Sequence, residues 1–201
     1  MKACSESSER NKEPILRVLQ QVLPVAGTVL EIGSGTGQHA VYFGAGFPDL
    51  VWQTSDLAEN HADIRAWLDE AGLGNVRLPL TLDVDAGQWP HEPVEAVFSA
   101  NTAHIMSWGQ VQAMLSGVGQ VLADGGVLCL YGPFNYDGNY TSESNAAFDR
   151  FLRDRDPQSG IRDFEAINAC LKEAGLVLWR DYAMPNNNHL VVWKKSRSGD
   201  V

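Results

Sequence analysis

The chain has 201 residues, 44% hydrophobic and 20% charged, a balance that supports a substantial core and excludes a disordered chain. Its formal charge of −10 lacks the basic footprint that displaces counterions from a phosphate backbone, so nucleic acid is not the expected partner. Three dispersed cysteines, no apolar run long enough for a bilayer and a polar start without a signal-like core lead to the expectation of a cytoplasmic protein.

No repeat, low-complexity stretch or linker divides residues 1–201, so one domain is expected. In chain order, "PILRVLQQVLP" (14–24) has helical spacing, with Pro14 in the first turn and Pro24 as the stop. "GTVLEIGSG" (27–35) reads as a buried strand entering a tight turn, and "TGQHAVYFGAGF" (36–47) as the helix that follows. "LVWQTSD" (50–56) is a second strand. "ENHADIRAWLDEAGL" (59–73) is a helix stopped by Gly72. Strands follow at 76–84 and 94–101, a helix at 108–126 and a fifth strand at 127–134. Helices at 144–156 and 164–176 precede "VLWRDYAMPNNNHLVVWKK" (177–195), a hairpin about a Pro-Asn turn.

Alternating strands and helices predict an α/β, Rossmann-like fold, with a mostly parallel seven-stranded sheet and helices on both faces. Parallel neighbours need a long crossover, so the closing hairpin makes the last strand antiparallel. That is the architecture of class I methyltransferases that use S-adenosylmethionine (SAM).

The loop "LEIGSGTGQH" decides between nucleotides. A dinucleotide fingerprint puts its third glycine at position 38, which is Gln. The pattern present, Glu31-x-Gly33-x-Gly35-x-Gly37, resembles the first motif of SAM-dependent methyltransferases. Glycines there let the backbone, with Ser34, approach the methionine and ribose parts of the ligand closely. Glu31 can fix the loop or face the ligand. Asp56 ends the second strand, where a carboxylate can accept ribose hydroxyls; capping the next helix is its alternative use. Leu57 follows and can pack on adenine. In this fold the position of Asp83 can accept the adenine amino hydrogen and that of Val84 can give a backbone contact; an ordinary surface turn is the alternative for Asp83. Asn101 ends the fourth strand, beside the methyl donor in such folds. His104 is the first candidate for a general base, with simple packing as its equal alternative. The histidines show no metal-ligand spacing, so no metal is expected.

Several stretches are similar to the methyltransferase-like 26 family: "ERNKEPIL" (9–16), "LEIGSGTGQHA" (30–40), "WQTSD" (52–56), "NTAHIMSW" (101–108), residues 132–165 and "MPNNNHLVVW" (184–193). The last turn reads Asn186-Asn187-Asn188 where that family usually has Ala-Asn-Asn. The resemblance implies a SAM-dependent methyltransferase, with S-adenosylhomocysteine (SAH) as the product left after transfer, and leaves the acceptor open. It also implies that residues 1–13, with Arg10, Asn11 and Lys12 before the first helix, fold over the cofactor, where Arg10 or Lys12 can pair with its carboxylate; a solvated N-terminus is the alternative. Tyr136 and Tyr140 become weaker catalytic candidates, and with Ser142, Asn145, Arg162 and Asp163 they are candidates for the substrate entrance. The expected partner is a small-molecule acceptor, and the expected state a monomer or homodimer. Two alternatives stay open: a SAM- or SAH-binding protein without catalysis, and a nicotinamide-dependent oxidoreductase, against which Gln38 argues.

Overall fold

The structure is a computed structural model that describes residues 2–197. The first helix, α1 (Glu6–Val22), begins earlier than the proline predicts. Ser5 caps it by accepting from the Ser8 N–H at 3.2 Å, and Glu6 and Glu9 sit in the first turn, where the helix dipole favours negative charge. Pro14 therefore lies inside the helix and gives no N–H to the carbonyl four residues before it. Residues 6–13, expected to precede the first helix, form its first turns. Ile15, Val18, Leu19 and Val22 form its buried face.

β1 (Gly27–Ile32), α2 (Gln38–Gly46), β2 (Leu50–Asp56), α3 (His61–Ala71) and β3 (Val76–Thr81) follow closely as predicted. After β4 (Val94–Ala100), α4 (Trp108–Val121) starts at a capping box in which Ser107 and Gln110 satisfy each other's backbone N–H groups. α4 ends five residues early, and residues 122–126 instead open β5 (Leu122–Gly132). Beyond it lie β6 (Phe134–Tyr136), β7 (Asn139–Tyr140), α5 (Glu143–Arg155), β8 (Arg162–Asp163), α6 (Phe164–Glu173), β9 (Leu176–Met184) and β10 (Asn188–Lys195). β6, β7 and β8 form a separate three-stranded sheet that the sequence reading did not contain.

The main sheet has seven strands in the order β3-β2-β1-β4-β5-β10-β9. β3, β2, β1, β4 and β5 are parallel, and β10 is antiparallel to both its neighbours. β10 is the last strand in the chain, yet it lies inside the edge strand β9. Alternation along β1 divides the core: Leu30 and Ile32 pack towards α4 and α6, Val29 towards α1 and α2. On the α1 side, Phe43, Trp52 and Phe98 are fully buried against one another, with ring centroids 5.3 to 5.8 Å apart. From β1 the chain winds outward to β2 and β3, then returns to β4 on the other side. This reversal opens a crevice at the carboxyl ends of β1 and β4, where open α/β sheets place ligands.

Candidate functional site

A cleft of about 430 Å³ occupies that crevice. Its floor is the loop after β1. Gly33, Gly35 and Gly37 all have positive φ, at 71, 58 and 89°. At Gly33 the need is also steric, since a Cβ would come within 2.9 Å of the Thr102 side chain. The Gly33 and Ser34 N–H groups donate to Ser55 O at 3.1 and 3.0 Å, which ties the loop to β2. Gly35 has open space where a Cβ would stand, and its N–H donates to Asp56 Oδ2 at 2.7 Å.

Glu31 lies beneath this loop and does not line the cleft. Its Oε2 accepts from Ser34 Oγ at 2.9 Å and from Trp52 Nε1 at 3.1 Å. Burial pushes its carboxyl up to about 7, against these two bonds and with help from the charge of Asp56. Gly37, at the start of α2, is also outside the lining, and a Cβ there would come within 3.1 Å of Ile64 Cα. Gly33, Ser34, Gly35, Asp56, Leu57 and Asp83 all line the cleft, as do Val84 and Asn101. Asp56 carries three donors: Gly35 N–H on Oδ2, and Leu57 N–H and Asn60 Nδ2 on Oδ1, each at 2.7 Å.

Gln38, the residue that breaks the dinucleotide pattern, is buried and bonds to the N-terminal segment. The Ser5 N–H donates to Gln38 Oε1, and Gln38 Nε2 donates to Glu9 Oε1 at 2.8 Å. Further out, Trp67 Nε1 donates to Ala3 O at 2.7 Å, and the Lys2 ammonium stands 3.5 Å over the Trp67 ring. Ser5, Ser7 and Ser8 are thereby laid along the cleft.

A second cavity, of about 630 Å³, adjoins the first, and Asn101 and Ser7 line both. Asn101 sits at the end of β4 with φ 58°, a left-handed conformation that asparagine tolerates, and its N–H donates to Tyr131 O at 2.9 Å. Arg10 and Asn11 line this second cavity and not the first, so the structure separates them from the residues around the glycine loop. His104 lines it as well, 7% exposed and edge-on to Phe148 at 5.2 Å. Among the described residues none hydrogen-bonds its ring nitrogens. Burial pushes its imidazole down to about 4, helped by the charge of Arg162, so it is neutral at pH 7. His104 Nδ1 and Asn101 Oδ1 converge, 3.7 and 3.9 Å from where a Cβ of Gly132 would stand.

Tyr136 and Tyr140 line neither cavity. Tyr136 Oη donates to Asp181 Oδ2 at 2.7 Å and lies 3.0 Å from His189 Nδ1; burial, then Asp181, pushes its phenol far above the usual range. Tyr140 Oη donates to Asp149 Oδ2 at 2.7 Å. Arg162, expected at the entrance, instead reaches under the loop after β4. It donates to Ala103 O at 3.1 Å, to Met106 O and to Gln158 O at 2.8 Å. Gly160 N–H donates to His104 O at 2.9 Å, so residues 158–162 hold His104 in place.

No motif in the sequence marks Tyr131. It lies within an apolar run, yet its side chain stands with those of Asn11 and Asn188 at the wall of the second cavity. Its signal was alternation along β5, which turns Tyr131 to the face opposite Leu130. Among the described residues, no group of three or more His, Cys, Asp or Glu could hold a metal ion, and no helix is long and apolar enough to cross a membrane.

The strand order, the glycine loop and the strand-end carboxylates define the fold of the class I methyltransferases. An O-methyltransferase family protein from Burkholderia thailandensis superposes with a TM-score of 0.81 at 18% identity, over 96% of this chain and 58% of its own. A putative O-methyltransferase from Nostoc punctiforme PCC 73102 gives 0.80 at 16%, over 94% and 58%. CalO1, a methyltransferase in calicheamicin biosynthesis solved in its SAH-bound form, gives 0.75 at 17%, over 94% and 55%. The chain thus spans a little over half the length of these structures. At the level of sequence it belongs to the family described as "Protein of unknown function (DUF938)", whose model matches residues 2–195.

Proposed function

We propose that this protein is a SAM-dependent methyltransferase acting on a small molecule, as its resemblance to the methyltransferase-like 26 family also implies. The observation that carries this reading is the meeting of two cavities at Asn101, one with the features of a nucleoside site and the other holding His104. The first cleft fits SAM by its chemistry. Glycine backbone borders it without Cβ atoms, and two carboxylates, Asp56 and Asp83, face it from adjacent strand ends. Asp56 would hold the ribose, Asp83 with Val84 and Leu57 the adenine, and the Gly33–Gly35 backbone the methionine part. SAM, when bound, supplies a methyl group already activated on a sulfonium, so alignment is the main task left to the protein.

The chain's own residues then have three tasks. Asn101 borders both partners and can orient either. The walls of the second cavity, Tyr131, Pro133 and Phe148 among them, screen the acceptor from part of the solvent. The neutral His104, its nitrogens unspent, can take the acceptor's proton. Because its basicity is depressed, it takes that proton only as the oxygen–methyl bond forms and the carbon–sulfur bond breaks to leave SAH, when the oxygen has become strongly acidic.

Isothermal titration of SAM and SAH into wild type and Asp56→Ala tests the reading. Wild type should bind both, and the variant should lose at least about tenfold. No binding by wild type at high protein concentration would sink it. Labelled SAM with a metabolite extract then separates catalysis from binding alone: SAH binding without any labelled product would favour a non-catalytic binder.

A further inference from the structure

The second cavity has an unusual lining. Ligand pockets are mostly walled by apolar and aromatic side chains with a few polar groups. Here Phe148, Pro133 and the ring of Tyr131 are the apolar part, and six asparagines dominate the rest: Asn11, Asn101, Asn145, Asn186, Asn187 and Asn188. Each carbamoyl group is both donor and acceptor. Some hold one another in place. Asn145 Nδ2 donates to Thr141 Oγ1 at 2.8 Å and to Asn187 O at 3.0 Å, and Asn187 Nδ2 donates to Ser144 Oγ at 3.2 Å. These bonds dock the β9–β10 turn on the start of α5 and use only the NH₂ groups of Asn145 and Asn187.

Charge is equally one-sided. Among the described residues on this lining, Arg10 carries the single formal charge, in a chain with 25 acidic against 15 basic residues. Its partner Glu6, at 3.3 Å, stands outside the lining. The second, independent sign of a ligand is His104, more than nine-tenths buried and without a hydrogen-bond partner on the cavity wall.

We propose that the second cavity receives a small hydrophilic acid, a molecule with several hydroxyl groups and one anionic group, carboxylate or phosphate, and rejects planar apolar rings. This rests on the first cleft being the methyl-donor site, which makes the acid the acceptor. The anion lies toward Arg10, the hydroxyls pair with the asparagine amides, and the reacting oxygen faces Asn101 and His104. A wall of hydrogen-bonding groups rejects a ligand that leaves those groups unpaired.

The test is titration of the SAH-loaded protein, followed by calorimetry, with D-gluconate, sn-glycerol 3-phosphate, sorbitol and the flavone apigenin. At least one anion should bind about threefold or more tighter than neutral sorbitol, and apigenin should not saturate. The gluconate and glycerol-phosphate arms decide between carboxylate and phosphate. Arg10→Gln should weaken the anion about threefold, a modest effect because the side chain is largely exposed, and Glu6→Gln should strengthen it. Both variants should keep wild-type SAH affinity, which shows that they are folded. If SAH binds but neither anion exceeds sorbitol, or apigenin binds tightest, the acid is ruled out while the donor site stands. If SAH does not bind, the donor-site reading falls, and the same four ligands titrated without SAH still decide what the cavity accepts.

Discussion

A carboxylate offers about four acceptor positions, and Asp56 already spends three of them on Gly35, Leu57 and Asn60. One position remains, on Oδ2. A ribose that engages both oxygens must therefore displace the Asn60 amide from Oδ1. Asn60→Ala should leave SAH affinity unchanged or raise it up to about fivefold, since it vacates that position. A loss of more than about tenfold by calorimetry would show that Asn60 itself holds the ligand. His104 makes a separate prediction. An ordinary histidine base loses activity as pH falls through about 6.5. With its imidazole held near 4, His104 stays neutral, so kcat/KM should be flat from pH 7.5 to about 5.5. An acid limb near 6.5 that vanishes in His104→Gln would contradict the burial argument.

The loop after β4 is shaped from outside by Arg162, whose guanidinium spreads over the carbonyls of Ala103, Met106 and Gln158. Charged donors to backbone carbonyls contribute more than neutral ones, so Arg162→Ala should cost about 2 to 3 kcal/mol in urea unfolding. Arg162→Lys should recover little, because a point charge cannot match a planar fork. Unchanged stability in the alanine variant would remove Arg162 from this role. Arg162 shows what sequence can carry. β1, its glycine loop, α2, and Asp56 and Asp83 were legible because each is a local pattern: a strand, a turn, a polar residue at the strand end. Arg162 makes two of its three bonds 56 and 59 residues away, and no local pattern encodes such reach. The same holds for the asparagine turn, legible as a turn but not as a wall. β6, β7 and β8 are two or three residues long, too short for periodicity to appear. Pro14 misplaced the start of α1 because proline usually marks a first turn, whereas here Ser5 does so.

For the whole molecule, buried titrating groups set how stability follows pH. His39 and His104 are both pushed from 6.5 down to about 4 by burial. As pH falls through 6.5 the unfolded chain takes up protons there and the folded protein does not, so each histidine lowers stability towards acid. Glu31 acts the other way. With its carboxyl raised from 4.5 to about 7, the folded protein keeps a proton that the unfolded chain has lost, so acid favours the fold across that window. Between about pH 6.5 and 4.5 two groups oppose one, and stability should fall by at most ~1.4 kcal/mol per pH unit. Glu31→Gln removes the opposing group. Its slope in that range should be about twice as steep, and its stability at pH 8 higher than wild type. Urea unfolding at four pH values checks this, and equal slopes in the two proteins would refute it.

The position of β10 has a further consequence, for the order in which the protein can assemble during synthesis. β5 leaves the ribosome more than fifty residues before its partner β10 (Asn188–Lys195), and β9 can join the sheet only through that same strand. Until then β5 presents a bare, apolar edge, including Leu128, Cys129 and Leu130. The Asn186–Asn188 wall arrives with β10, so the second cavity is completed late, after the glycine loop and the carboxylates of Asp56 and Asp83 are in place. A nascent chain therefore has the parts of the first cleft in hand before the walls of the second can close.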